Sequence, residues 1–159
     1  MNVSSNSRPH DGVKFLLTAV EVFSKLAWVE PLRSKCGEEV RGKLKKVIED
    51  SNYRYLQTGK GTKFCNTLVQ QLFRERKVKW FSSENEVIKA SMVKRFNQTL
   101  RDKIHGYLTI YRQGRNIDNM SDMVAAYNHT RPSPTGFAPV KMNGSEEVFF
   151  MLYKKDRQV

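Results

Sequence analysis

Residues 13–22 (VKFLLTAVEV) and 25–33 (KLAWVEPLR) are two apolar, β-branched runs with only Phe23 and Ser24 between them. Parallel neighbours need a crossover of a dozen residues or more, so a connection this short forces an antiparallel hairpin. The period then changes. Glu38 to Asp50 place acids in a first helical turn and set Val40, Leu44, Val47 and Ile48 on one face, which predicts a helix. Tyr53 to Thr58 predict a short strand ending at Gly59-Lys60-Gly61. A helix over 62–75 follows, stacking Phe64, Leu68, Val69 and Leu72, and then a strand over Val78 to Phe81. Residues 82–88 read as a polar loop. Val93, Phe96, Leu100, Ile104, Tyr107 and Tyr111 recur at threes and fours along a long helix from Ser91 to Tyr111, which Gly114 ends. Asp118 to His129 suggest one more helix, capped by Asp118 or Ser121 and carrying Met123, Val124 and Tyr127. Residues 131–136 (RPSPTG) form a turn cluster. This order implies an α/β layer structure with a mixed sheet flanked by helices.

At 159 residues the chain is of single-domain size, enough to bury about 70% of its unfolded surface. With 39% hydrophobic residues and 11% aromatic ones it is too apolar to stay disordered. Its 28 basic and 16 acidic side chains leave a net charge of +12. Such an excess suits a polyanion, because phosphate contacts release condensed counterions. No stretch is apolar for long enough to cross a membrane as a helix. The first residues (MNVSSNSRPHDG) show no secretory pattern, which points to an intracellular protein. Cys36 and Cys65 stand far apart with no CxxC and no histidine pair, so they read as two reduced, buried thiols. His10, His105 and His129 are scattered in the same way.

Several basic groups invite a binding role. Lys94, Gln98, Arg101 and His105 fall at steps of four, three and four along the long helix, with Asn97 bordering them and the apolar stripe opposite. Read alone, that row is either the solvated face every surface helix needs or a surface for phosphates. Lys60 and Lys63 lie at the Gly59-Lys60-Gly61 turn just before a helix, where backbone N–H groups favour anions. No GxxxxGK[ST] pattern accompanies them. Residues 74–79 (RERKVK) are a third basic cluster, or simply a charged helix end. Trp28 and Trp80 sit in strand-like runs and read as core.

Residues 55–64 (YLQTGKGTKF) resemble the LQTDNGxEF block of retroviral-type integrase catalytic cores, and 89–100 (KASMVKRFNQTL) resemble their KASVVERFNRTL helix. The hairpin segment FLLTAVEVFSKLAWVEPLRSKCGEEV is similar to YLLTVIDVFSKFAWVVPLKDKTGKEV of integrases from large DNA transposons and retroelements. MVAAYNHTRPSPTGFAPVKM follows the distal helix of these cores, and EEVFFMLYKK resembles the stretch that closes them. The similarity spans residues 11–155 in ordered blocks. It implies a ribonuclease-H-like fold, with a core domain over 11–142, a flexible 1–10 and an extension over 143–159.

Active members of that family hold two Mg²⁺ or Mn²⁺ ions with three acids and cut or join DNA. In this chain the matching position of the second acid is Gly59 and that of the third is Lys94, 35 positions apart (59 to 94), as in the family. The segment bearing the first acid, which forms the family's central strand, is expected to be missing upstream of the hairpin. Glu21 stands where relatives often carry Asp, yet it is not that ligand. Glu84, Glu86 and Asp102 are not placed to replace the lost set. The resemblance therefore implies no catalytic residue, no metal ligand and no cofactor. It implies DNA as partner, through Lys60, Lys63, Lys94, Asn97, Gln98 and Arg101. A homo-oligomer is compatible with it, and nuclear location follows from basic character and family habit. No membrane or small-molecule substrate is expected. The rival expectations are a protein-interaction or oligomerisation module without DNA binding, a non-functional remnant, and an active enzyme with acids elsewhere. The family's topology also leaves the hairpin three courses: closing on strand 53–58, accepting a partner's strand, or a marginal fold.

Overall fold

The computed structural model describes residues 12–51, 54–58, 61, 63–82, 91–111, 119–130 and 138–139. The hairpin is present as β1 (Phe15–Val20) and β2 (Ala27–Leu32), paired antiparallel from Phe15↔Leu32 to Val20↔Ala27. Its turn is held by Glu21, whose carboxylate accepts from the Phe23 and Ser24 amides and from the Ser24 hydroxyl. Lys25 takes a left-handed φ of 65° to close it. The Glu21 amide donates to the Leu26 carbonyl at 2.8 Å. Hydrogen-bonded pairs alternate along such a ladder, so Ala27 and Pro31 turn their backbone groups to the outer edge of β2. Pro31 has no N–H to offer there. The Asn128 amide occupies both groups of Ala27, accepting from its N–H at 2.9 Å and donating to its carbonyl at 3.0 Å. The outer edge is thus closed to strand addition at two positions.

The side chains of the hairpin alternate between two cores. Leu17 and Leu32 face one side, where α1 (Gly37–Ser51) and α2 (Thr67–Glu75) pack with Val40, Leu44, Ile48, Val69, Leu72 and Phe73. Leu16 and Ala27 face the other, against Phe96, Leu100 and Ile104 of α3 (Ser91–Tyr111) and Met120 of α4 (Met120–His129). Fully burying each such aliphatic side chain contributes about 1.5–3 kcal/mol. The hairpin is a wall with helices on both sides. A T-shaped contact of Phe96 with Tyr127, centroids 4.8 Å apart, joins α3 to α4. Asn119 adds a hydrogen bond to the Tyr107 hydroxyl at 2.6 Å. Burial pushes the Tyr127 phenol above its usual pKa.

The remaining strands, β3 (Tyr55–Thr58) and β4 (Lys79–Ser82), pair in parallel. Both pairing modes of a mixed sheet are present, divided among the described residues between two two-stranded ladders. The hairpin does not close on β3 there. Leu56 and Trp80 turn toward the α1/α2 core, and the Trp80 indole stacks on Phe73 and donates to the Thr58 hydroxyl at 2.9 Å.

Three expectations are corrected. The second helix starts at Thr67 and not at 62, because Asn66 accepts from the Leu68 amide at 2.9 Å and caps it there. Phe64 still reaches the core from the turn before the cap, and Phe73, absent from the predicted stripe, is buried. Neither expected residue is seen to cap the last helix: Asn119 stands at its start without a side-chain cap bond, Ser121 lies inside it and Asp118 falls outside the described residues. Cys36 and Cys65 are exposed, not buried, because both sit in the turns that lead into α1 and α2.

Candidate nucleic-acid interface

The apolar stripe of α3 fixes what its other face can do. Phe96, Leu100 and Ile104 are 3%, 2% and 5% exposed, so the helix is docked along one side. At 100° per residue this turns Lys94, Arg95, Gln98, Arg101, Asp102 and His105 outward, and all six are exposed. Lys103, also exposed, flanks them. Four cations thus share α3 with one carboxylate, Asp102. That carboxylate is bonded by the Gln98 amide at 2.8 Å, and Arg101 donates to Gln98 at 3.3 Å. Lys94, Arg95, Arg101 and Lys103 make no ion pair among the described residues. Asn97 behaves differently: it is half-buried, and its Oδ1 is shielded from solvent without a hydrogen-bond partner among the described residues.

The other expected contacts are distributed unevenly. Gly59 and Lys60 fall outside the described residues. Lys63 is half-buried at the turn before α2, its Nζ 4.9 Å from the centroid of Phe64. Burial holds the Lys63 ammonium below the usual lysine pKa, and the neighbouring Lys35 charge lowers it further. Lys35 itself lies over Phe15 at 4.3 Å. The fold therefore brings together two lysines 28 positions apart, a pairing no sequence pattern signalled. Arg95 was also missed, although its place one residue after Lys94 widens the same face. In the 74–79 cluster, Arg76 pairs with Glu49, while Glu75 pairs with Arg41 at 3.1 Å.

Among the described residues, the side chains do not offer a divalent metal the ligands it needs. Hard cations require converging oxygen ligands. No group of three His, Cys, Asp or Glu side chains among the described residues could hold one. Lys94 brings an ammonium to the face, and Glu21 is committed to its own turn.

Against solved structures the likeness extends over most of the chain. It superposes on the HTLV-2 integrase catalytic core domain, a trimeric form in complex with magnesium, with a TM-score of 0.69 at 16% identity, covering 79% of this chain and 82% of that one. The BIV integrase catalytic core domain gives a TM-score of 0.71 at 16% identity, with 86% and 89% covered. The fold is ribonuclease-H-like. A simian T-cell lymphotropic virus intasome gives a TM-score of 0.74 at 14% identity, covering 79% of this chain and 46% of that one. Among curated proteins, a transposon-derived protein of Caenorhabditis elegans is 30% identical over 140 residues, 87% of this chain. The chain spans about half of that relative's length (49%). No protein-family model matches the chain.

Proposed function

We propose that this chain is a transposon-derived, integrase-core-like protein that binds duplex DNA through the outer face of α3 and does not cut or join it. The observation that carries the binding reading is the row of exposed cations around Lys94, held outward by a buried stripe and unneutralised among the described residues. An ammonium there repels a divalent ion and attracts a phosphate at the same time. The integrase-like fold and the transposon-derived relative support descent from a polynucleotidyl transferase. Gly59 and Lys94, where the family's second and third acids would stand, support the loss of its metal chemistry.

Titration of a labelled duplex at several salt concentrations tests the binding. The expected result is a fall of log K with log salt, made shallower by Lys94→Glu or Arg101→Ala. Binding that is absent or salt-independent would favour a protein-interaction module. Strand-transfer assays with Mg²⁺ or Mn²⁺ and a transposon-end substrate test the inactivity, for which no product is expected. Turnover by this chain alone would refute it.

A further inference from the structure

The β3–β4 ladder has a second face that the duplex-binding reading does not use. Leu56, Thr58 and Trp80 point to the α1/α2 core. Strand alternation then places Tyr55 and Gln57 of β3 with Lys79 and Phe81 of β4 on the opposite side. The Lys79 Nζ, 5.7 Å from the Tyr55 centroid, agrees with that placement. Two large rings stand open there, Tyr55 at 66% and Phe81 at 44% exposure. The register sets Tyr55 opposite Lys79 and Gln57 opposite Phe81, so Tyr55 and Phe81 are diagonal neighbours, their strand positions about 8 Å apart. Lys79 makes no ion pair among the described residues. Arg54 and Lys77, both exposed, lie at the ends from which the two strands start. Gln57 is half-buried, and its Nε2 is shielded from solvent without a hydrogen-bond partner among the described residues.

We propose that this face binds single-stranded nucleic acid, with Tyr55 and Phe81 stacking two unpaired bases and Lys79, Arg54 and Lys77 following the backbone phosphates. Exposed rings stack readily on unpaired bases, whereas a duplex keeps its base faces stacked on one another unless it is kinked open. Among the described residues no carboxylate lies on the face, and the chain's charge of +12 favours a polyanion. Two isolated rings are also far short of the roughly 800 Å² per partner that a stable protein interface buries. The surface is separate from the α3 face and stands or falls independently of duplex binding.

Fluorescence anisotropy of the full chain with labelled oligothymidylate and oligouridylate tests the assignment, the two probes separating DNA from RNA. Tyr55→Ala and Phe81→Ala are each expected to weaken binding roughly tenfold. Tyr55→Phe and Phe81→Tyr should retain it, and thermal melts of all four variants check that the exposed sites leave folding intact. Lys94→Glu should change oligothymidylate affinity less than about twofold while weakening duplex binding. Undetectable binding of both probes would overturn the proposal. So would alanine variants that bind as the parent does, or a loss of single-strand binding through Lys94→Glu alone.

Discussion

Two helical surfaces of this molecule carry similar numbers of cations and differ in what answers them. α1 holds four basic and four acidic side chains, and its cations reach further acids: Lys43 and Lys46 meet Glu30 at 3.0 and 3.5 Å, and Arg41 meets Glu75. Arg76, beyond the end of α2, pairs with Glu49 of α1. α3 also holds four cations, with one acid, which is engaged by Gln98. Composition alone makes both surfaces basic helices. The positions of the carboxylates pair three of the four α1 cations and, among the described residues, leave those of α3 facing outward without an ion pair. A net charge of +12 is therefore no guide to where a polyanion would sit until the ion pairs are placed.

The inward faces of the two helices should behave alike. Leu100→Ala in α3 and Leu44→Ala in α1 each remove a buried side chain and should cost about 2–5 kcal/mol in denaturant unfolding. A destabilisation confined to one of them would show that the hairpin wall is not packed equally on both sides. Outward, the helices should part. Lys94→Glu is expected to weaken duplex binding roughly tenfold and to make the salt slope shallower by about 0.9 for every phosphate the variant no longer neutralises. The same measurement on Lys43→Ala should show less than about a twofold change in affinity, and removing its pair with Glu30 should lower stability by at most about 1 kcal/mol. If Lys43→Ala weakens binding as much as Lys94→Glu, the contrast between the two faces fails.

A smaller effect belongs to the start of α1. Glu39 accepts from the Arg33 and Ser34 amides at 2.6 and 2.8 Å and from the Ser34 hydroxyl at 2.7 Å. The Arg33 amide bond, foremost, holds its carboxyl below the usual pKa near 4.5. A carboxyl with a lowered folded-state pKa stabilises above its unfolded value, and that contribution is lost as pH falls through the folded one. Glu39→Gln should lower stability at neutral pH by less than about 1 kcal/mol. Its stability should also decline less steeply than the parent's below about pH 4.5. Parallel acid limbs for the two proteins would refute the role given to Glu39.

Periodicity carried the fold a long way. The hairpin, α1 with its four buried aliphatic residues, and α3 from Ser91 to Tyr111 were legible because one face of each is apolar. Ends decided by side-chain hydrogen bonds were not: Asn66 moves the start of α2, and nothing in the apolar pattern marks that. The division of the described strands into two ladders was invisible too, since strand neighbours depend on packing between distant segments. At the candidate site, Lys94, Gln98 and Arg101 were readable from helical spacing. The half-burial of Asn97 was less so, because it lies at the margin where the polar arc meets the stripe. The closeness of Lys35 and Lys63 required α1 and α2 to pack first.

The salt dependence of duplex binding, measured side by side for the parent chain and Lys94→Glu, tests the central claim most directly. Phosphates held by the four α3 cations predict a log–log slope of about −3 or steeper for the parent and a clearly shallower one for the variant. Equal slopes in the two proteins, or a flat parent slope, would contradict a phosphate-facing α3.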